Sequence, residues 1–165
     1  CQLCIMQIMI GEDLNRFSIS LPKKGRLLGL DLGAKTIGLA LSDISRRIAT
    51  PMDTLRRTKF DRDASQLRKI YSEHSVTGIV LGLPINMNGS EGPRCQATRD
   101  FARNIVTHLV APILLWDERL STAAVTQALI AADLSRNKRA KLVDKMAAGY
   151  ILQGALDALD RAYLP

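Results

Sequence analysis

From Arg26 onward the chain is built of short apolar runs separated by turn residues. The runs "RLLGLDL" and "TIGLALSD" have the length and composition of buried strands. The gap between them is "GAK", in which Gly33 can adopt a positive φ, so the two runs predict a β-hairpin. The segment "RIATPMDTLRR" predicts a third strand at an edge of the sheet, because Pro51 cannot donate a hydrogen bond to a neighbouring strand.

After residue 60, segments with a helical period alternate with strands. "DRDASQLRKIYSEH" spaces its apolar residues as a helix does, and "GIVLGLP" follows as a buried strand. Pro93 favours the first turn of a second helix, "PILLW" predicts a fifth strand, and "STAAVTQALIAADL" predicts a third helix behind a Ser/Thr cap. "KLVDKMAAGYILQGALDALD" predicts a last helix, and its inward face consists of Val143, Met146, Ala147, Tyr150, Ile151 and Gly154.

This order of elements predicts a single α/β domain. Three antiparallel strands, then alternating helices and strands, then a helix resemble the ribonuclease H-like fold, a mixed five-stranded sheet flanked by helices. We expect this domain to span residues 26–165. Residues 1–25 show no clear period, and we interpret them as an N-terminal extension with no assigned function.

Three carboxylates occupy positions where apolar residues are expected. Asp31 lies in the middle of the first strand, Glu118 comes directly after a buried strand, and Asp144 is flanked by the apolar positions of the last helix. A buried carboxylate without a partner costs several kcal/mol, so it must be neutralised, hydrogen-bonded or bound to a cation. The expected fold brings the three positions together. Hard divalent ions with oxygen ligands, such as Mg²⁺ or Mn²⁺, are the usual way to hold such a cluster.

A carboxylate cluster that holds Mg²⁺ or Mn²⁺ suits the hydrolysis of phosphodiester bonds. The metal can orient and deprotonate a water molecule, hold the scissile phosphate and stabilise charge on the leaving oxygen. We therefore predict a metal-dependent nuclease, with Asp31, Glu118 and Asp144 as its catalytic residues and metal ligands.

The charge balance favours a polyanionic partner, because 23 Lys and Arg stand against 16 Asp and Glu, for a net charge of +7. Candidates for binding nucleic acid are the basic residues near the acids and the polar residues of the loop "LPINMNGSEGP". These candidates are Lys35, Asn86, Ser90, Arg119, Lys138, Arg139, Lys141 and Lys145. For each residue alone, a solvated basic surface or an ordinary strand-to-helix turn remains an alternative.

Cysteine usage predicts a reduced cytoplasmic protein. Cys1 and Cys4 form a lone C-x-x-C, and Cys95 lies far away, so no second pair completes a tetrahedral zinc site. No apolar run reaches the roughly 18 residues of a membrane span. The segment "CQLCIMQIMI" lacks the basic leader of a signal peptide, so we expect no membrane association.

Four motifs in their order and spacing resemble the bacterial YqgF family, also called RuvX. They are "LLGLDLGAKTIGLALSD", "GIVLGLPINMNGSEGPR", "WDERLST" and "VDKMAAGYILQGALD", and together they cover about residues 26 to 160. The resemblance implies a nuclease of pre-16S ribosomal RNA with a fold like that of Holliday junction resolvases. It also implies that Asp31, Glu118 and Asp144 are the acidic catalytic set. Many members carry Arg where Thr36 stands here, so one phosphate contact is missing.

Two other functions compete with the nuclease. "GLDLGAKT" resembles the first phosphate loop of sugar kinases and actin-like ATPases, but those proteins enclose their nucleotide between two such domains, and this length suits only one. Gly33 and Gly38 have the spacing of the Walker A glycines, but Leu39 and Ala40 follow them instead of the Lys and Ser or Thr that end a Walker A loop. A non-catalytic nucleic-acid-binding factor is the other alternative. The three acids disfavour it, because an acidic cluster without metal repels a polyanion.

The resemblance covers two substrates, structured RNA and branched DNA. Resolving a DNA junction takes two cuts and therefore predicts a homodimer, whereas trimming one RNA strand needs a single subunit. Processing of the 5′ end of pre-16S ribosomal RNA is the leading hypothesis.

Overall fold

A computed structural model describes residues 9–121, 132 and 135–162, with only the backbone described for 139–145. The strands in chain order are β1 (Ile10–Gly11), β2 (Arg26–Leu32), β3 (Thr36–Ser42), β4 (Ala49–Pro51), β5 (Leu55–Arg56), β6 (Val76–Leu83) and β7 (Ile113–Asp117). The helices are α1 (Leu14–Ser20), α2 (Phe60–Glu73), α3 (Pro93–Ile105) and α4 (Arg136–Ala162). The predicted helix over 121–134 lies almost entirely outside the described residues.

The strands form one mixed sheet in the order β1-β7-β6-β2-β3-β4, with β5 also paired to β3. β1, β7, β6 and β2 run parallel, whereas β3 is antiparallel to β2, β4 and β5. The predicted hairpin and the mixed sheet flanked by helices are confirmed. The predicted number of five strands was too low. The third strand is divided into β4 and β5, and just after Pro51 the N–H of Met52 still donates to the Leu39 carbonyl oxygen at 2.7 Å. β1 is too short to show a period of two.

The two faces of the sheet differ in side-chain size. Large residues of β2, β3 and β6, such as Leu30, Ile37 and Leu81, point to one face and pack with α2 and α3. The alternate positions point to the other face and are mostly glycine or alanine, including Gly29, Gly38, Ala40 and Gly82. Successive side chains of a strand point to opposite faces. The runs of β2, β3 and β6 therefore look uniformly apolar, but small and large residues alternate within them.

Helix α4 packs against the face that carries the small residues. A Cβ at Gly29 would lie 2.7 Å from the Leu152 Cβ and 3.0 Å from the Ala148 carbonyl oxygen, so the helix rests on the strand backbone. Among the side chains described for this helix, the buried apolar ones are Ala148, Ile151, Leu152, Ala155, Leu156 and Leu159. The predicted inward face was therefore about one position off: Ile151 is buried as predicted, but Met146, Ala147, Tyr150 and Gly154 are only half-buried. The side chain of Val143 lies outside the described residues. Close contact favours the small Ala148 and Ala155, which the apolar pattern did not single out.

Residues 9–20 add an edge strand and a helix to the same core. β1 pairs with β7, and Asp13 caps α1 by accepting hydrogen bonds from the N–H groups of Asn15 and Arg16 at 2.8 and 3.1 Å. Phe17 is 5% exposed and covers Gly78, where a Cβ would lie 3.2 Å from the ring. In the described part of the chain, no helix combines the length and apolar character that a membrane span requires.

Candidate active site

Asp31 and Glu118 meet at one edge of the sheet. Asp31 is the second-to-last residue of β2, and Glu118 directly follows β7. Because β2, β6 and β7 are parallel, their carboxyl ends share this edge, which is where α/β sheets commonly place their sites. A hydrogen bond joins the two carboxyl groups. The convergence predicted for these two acids is confirmed.

Backbone contacts and a glycine position Glu118. Its N–H donates a hydrogen bond to the Leu83 carbonyl oxygen at 3.2 Å, which ties it to the end of β6. Its side chain lies over Gly82, where a Cβ would come within 2.6 Å of Glu118 Oε1 and within 2.6 Å of Ile151 Cδ1. Glycine at position 82 therefore provides the space that the carboxylate occupies beneath α4.

Asp31 lies on the same face as Gly29 and Gly82. Its strand partner across the hairpin is Gly38, where a Cβ would lie 3.4 Å from the Asp31 Cβ and 3.6 Å from the Ala148 Cβ. The carboxylate thus replaces one small residue in the face that α4 covers. The alternation of small and large residues is the sequence signal that assigns Asp31 to this face, and the apolar character of the run obscures it.

Burial and like charge raise the pKa of Glu118 to about 7. Burial has the largest effect, and the negative charge of Asp31 adds to it, whereas the positive charge of Arg94 acts in the opposite direction. At pH 7 Glu118 is therefore about half protonated, and below that pH the pair holds one proton. A divalent cation could take the place of that proton, because both groups offer the oxygen donors that Mg²⁺ and Mn²⁺ prefer.

The third predicted acid, Asp144, falls within α4, one turn before Ala148. The position of its side chain lies outside the described residues, as do those of Arg139, Lys141 and Lys145. Among the side chains that are described, no three Asp, Glu, His or Cys residues come together as a metal site. Lys138 is described and exposed near the start of α4.

Arg119 is held by its neighbour Asp117. Its Nε donates to Asp117 Oδ1 at 3.0 Å and its Nη2 donates to Asp117 Oδ2 at 2.7 Å. This pair lowers the pKa of Asp117 and raises the pKa of Arg119. Arg119 Nη1 lies near Gly89 of the loop that follows β6, 3.7 Å from where a Cβ would be. Asp117 therefore orients the guanidinium toward this loop, a role that the sequence analysis did not assign.

The loop over residues 84–92 is organised by its own polar side chains. Asn86 Nδ2 donates to Ser90 Oγ at 3.0 Å, and Ser90 Oγ donates to Asn88 Oδ1 at 2.6 Å. Gly89 has a φ of +85°, a conformation that favours glycine. Asn86 and Ser90, both predicted to bind substrate, thus contact each other in the protein alone, and both are exposed.

Comparison with known proteins identifies the family. The family model RuvX, described as Holliday junction resolvase, matches residues 25–158. The chain belongs to the RuvX family. A Cereibacter sphaeroides relative is 60% identical over 152 residues, covering 92% of this chain and 95% of its own length. A Paramagnetospirillum magneticum relative is 62% identical over 138 residues, covering 84% of this chain and 89% of its own length. Both are named provisionally as pre-16S rRNA nucleases.

The alignment with the C. sphaeroides relative of this RuvX-family chain extends beyond residues 26–165, the predicted domain. Because 152 of the 165 residues are covered, at most 13 lie outside the match, so it extends into residues 1–25. Among solved structures, Thermus thermophilus RuvC is similar with a TM-score of 0.51 at 10% identity, over 83% of this chain and 95% of that chain. This likeness concerns the fold and confirms the α/β, ribonuclease H-like class expected from the sequence.

Two further residues complete the description of this RuvX-family site. Lys35 is exposed in the turn after β2, where Arg57 braces the backbone by donating from its N–H to the Lys35 carbonyl oxygen at 2.9 Å. Gly33 does not adopt the positive φ considered for it. Its N–H instead donates to the Thr36 carbonyl oxygen at 2.8 Å, a close approach that leaves little room for a Cβ.

Proposed function

We propose that this protein is a metal-dependent nuclease that hydrolyses phosphodiester bonds in structured RNA and processes the 5′ end of pre-16S ribosomal RNA. The observation that carries this proposal is the joined pair of Asp31 and Glu118 at the carboxyl ends of parallel strands. The RuvX relatives named for pre-16S rRNA favour RNA as the substrate.

The donor chemistry of the pair fits Mg²⁺ or Mn²⁺. Asp31 and Glu118 would hold the ion, and we propose Asp144 of α4 as the third ligand. When bound, such an ion supplies Lewis acidity at the phosphate and lowers the pKa of a coordinated water. In the absence of metal, Glu118 is protonated below about pH 7, because burial and Asp31 raise its pKa to about 7.

The remaining polar residues would bind and orient the RNA. Arg119, aligned by Asp117, stands next to Glu118, and Lys35 is exposed in the turn that follows β2. We assign the same role to Asn86 and Ser90 of the loop over 84–92 and to Lys138, Arg139, Lys141 and Lys145 of α4. The net charge of +7 supports a polyanionic partner. We place the protein in the cytoplasm, where a free buried thiol such as Cys95 stays reduced.

The proposal is tested by cleavage of a labelled precursor of the 16S rRNA 5′ end and of a four-way DNA junction. Each substrate is incubated with Mn²⁺, with Mg²⁺ and with EDTA. The expected result is metal-dependent cutting of the RNA that Asp31→Asn abolishes. Asp160→Asn, which changes an exposed acid of α4, is the matched control and should cut at the wild-type rate. Cutting by Asp31→Asn at the wild-type rate contradicts the proposal.

The basic stretch of α4 has its own test. Replacing Lys138, Arg139 and Lys141 by Ala should weaken RNA binding and reduce the slope of log affinity against log salt by roughly two, because fewer counterions are released. The slope is obtained from fluorescence anisotropy at several salt concentrations. An unchanged slope would mean that these residues form only a solvated surface.

Cleavage of branched DNA by a homodimer is the second candidate. The description of the matching family model as Holliday junction resolvase favours it. Preferential cutting of the four-way junction, together with a dimeric mass in analytical ultracentrifugation, would select this candidate over RNA processing.

A further inference from the structure

Arg94 is an exposed arginine in the first turn of α3. The neighbouring Cys95 fixes this turn to the end of β6, because its thiol donates a hydrogen bond to the Pro84 carbonyl oxygen at 3.1 Å. Glu118 is held at Leu83, the residue before Pro84, because its N–H donates a hydrogen bond to the Leu83 carbonyl oxygen. Arg94 and Glu118 are thus anchored to consecutive residues at the carboxyl end of β6.

The charge of Arg94 acts on Glu118. The positive charge of Arg94 opposes the rise that burial and Asp31 cause in the pKa of Glu118. An exposed guanidinium therefore shares its electrostatic environment with the proposed catalytic acids.

Arg94 differs from Arg119 and Arg99 in its hydrogen bonds and ion pairs to the residues that the structure describes. Arg119 is paired with Asp117, and Arg99 donates to Glu91 at 2.5 Å and to Glu12 at 2.6 Å. Within the ranges that the structure describes, the guanidinium of Arg94 makes neither a hydrogen bond nor an ion pair. Its donors are available to a ligand.

We propose that Arg94 binds a phosphate group of the nucleic-acid strand that lies against Asp31 and Glu118. This inference rests on the proposed function and adds a substrate-binding residue to its site. Two carboxylates repel an approaching phosphodiester, and an unpaired cation beside them offsets that repulsion. The guanidinium fork also matches two phosphate oxygens at once, which an ammonium group cannot do.

The test measures RNA binding in Ca²⁺ and cleavage in Mn²⁺ with the same labelled precursor of the 16S rRNA 5′ end. Arg94→Ala should raise Kd roughly tenfold and reduce the salt slope by about one. Arg94→Lys should keep the slope and recover part of the affinity. Arg103→Ala is the matched control, because Arg103 is an exposed arginine of the same helix that is paired with Asp100, and its Kd should equal that of the wild type.

The outcomes separate this inference from the function on which it rests. Wild-type cleavage with an unchanged Kd and salt slope for Arg94→Ala overturns the role of Arg94 alone. An equal loss of affinity in Arg103→Ala also overturns it, because the effect would then be one of general surface charge. A change in the pH profile of cleavage with unaltered Kd would show that Arg94 acts only through Glu118. A wild-type protein that neither binds nor cuts overturns the proposed function itself.

Discussion

At the scale of single residues, Glu118 makes the stability of the metal-free protein depend on pH. An ordinary glutamate in the unfolded chain loses its proton near pH 4.5, whereas Glu118 in the folded protein retains it up to about pH 7. The resulting stabilisation is complete below about pH 4.5 and is lost as the pH rises through about 7. It amounts to roughly 3 kcal/mol for a shift of this size.

Glu118→Gln should remove this dependence, because the amide carries no charge at any pH. In EDTA, the variant should be more stable than the wild type at pH 8 by roughly 2 to 3 kcal/mol and nearly equal to it at pH 5. Urea unfolding at the two pH values measures the difference, and Asp160→Asn serves as the exposed control. The same stability difference at both pH values would contradict the assigned titration.

Gly82→Ala should displace Glu118 without adding or removing a charge. The new Cβ would lie 2.6 Å from Glu118 Oε1 and 2.6 Å from Ile151 Cδ1, so the ends of both side chains must shift. We expect a loss of stability of about 1 to 3 kcal/mol and at least a tenfold loss of cleavage, measured by urea unfolding and by the RNA assay. Gly11→Ala is the control, since its nearest neighbour would be 3.9 Å away. Full activity of Gly82→Ala would show that the position of Glu118 is unimportant.

At the scale of elements, α1 is expected to contribute to the core that α4 closes. Phe17 is 5% exposed and packs over Gly78, whereas Ile19 on the same helix is 85% exposed. Phe17→Ala should therefore destabilise the protein by about 3 to 5 kcal/mol, and Ile19→Ala should change stability by about 0.5 kcal/mol or less. Urea unfolding measures both. Equal, small effects would mean that α1 adds little to the core.

Elements also differ in how well the sequence predicts them. The strands β2, β3, β6 and β7 coincide with apolar runs, and α2 shows a clear helical period, so each was predictable from local pattern. β1 was not, because two residues carry no period and are held by pairing with β7. The buried face of α4 was misplaced by about one residue, because close packing on Gly29 selects small side chains that an apolar pattern does not distinguish.

At the scale of the whole molecule, metal binding, proton release and stability are linked. A ligand that binds only the folded state stabilises it, by about 2.7 kcal/mol at a concentration of 100 times Kd. Mn²⁺ should therefore raise Tm, and should do so more at pH 8 than at pH 6, because at pH 6 the ion must displace the proton on Glu118.

Differential scanning calorimetry with Mn²⁺ and with EDTA at both pH values measures this linkage. Asp31→Asn should lose the increase in Tm, and Asp160→Asn should keep it. An equal increase at the two pH values, or an increase retained by Asp31→Asn, would contradict binding of the ion at the carboxylate pair.

The charge of the molecule, its apolar runs, its helical periods and the acids at positions where apolar residues are expected can all be read from the sequence alone. Those properties depend on residue type and local spacing, and they are sufficient to place Asp31 in a strand and Glu118 at the end of another. The folded structure adds three relations: the two carboxyl groups share a hydrogen bond, Gly82 makes room for one of them, and the charge of Arg94 acts on Glu118. Such relations depend on which strands become neighbours and in what register, and local periodicity contains neither.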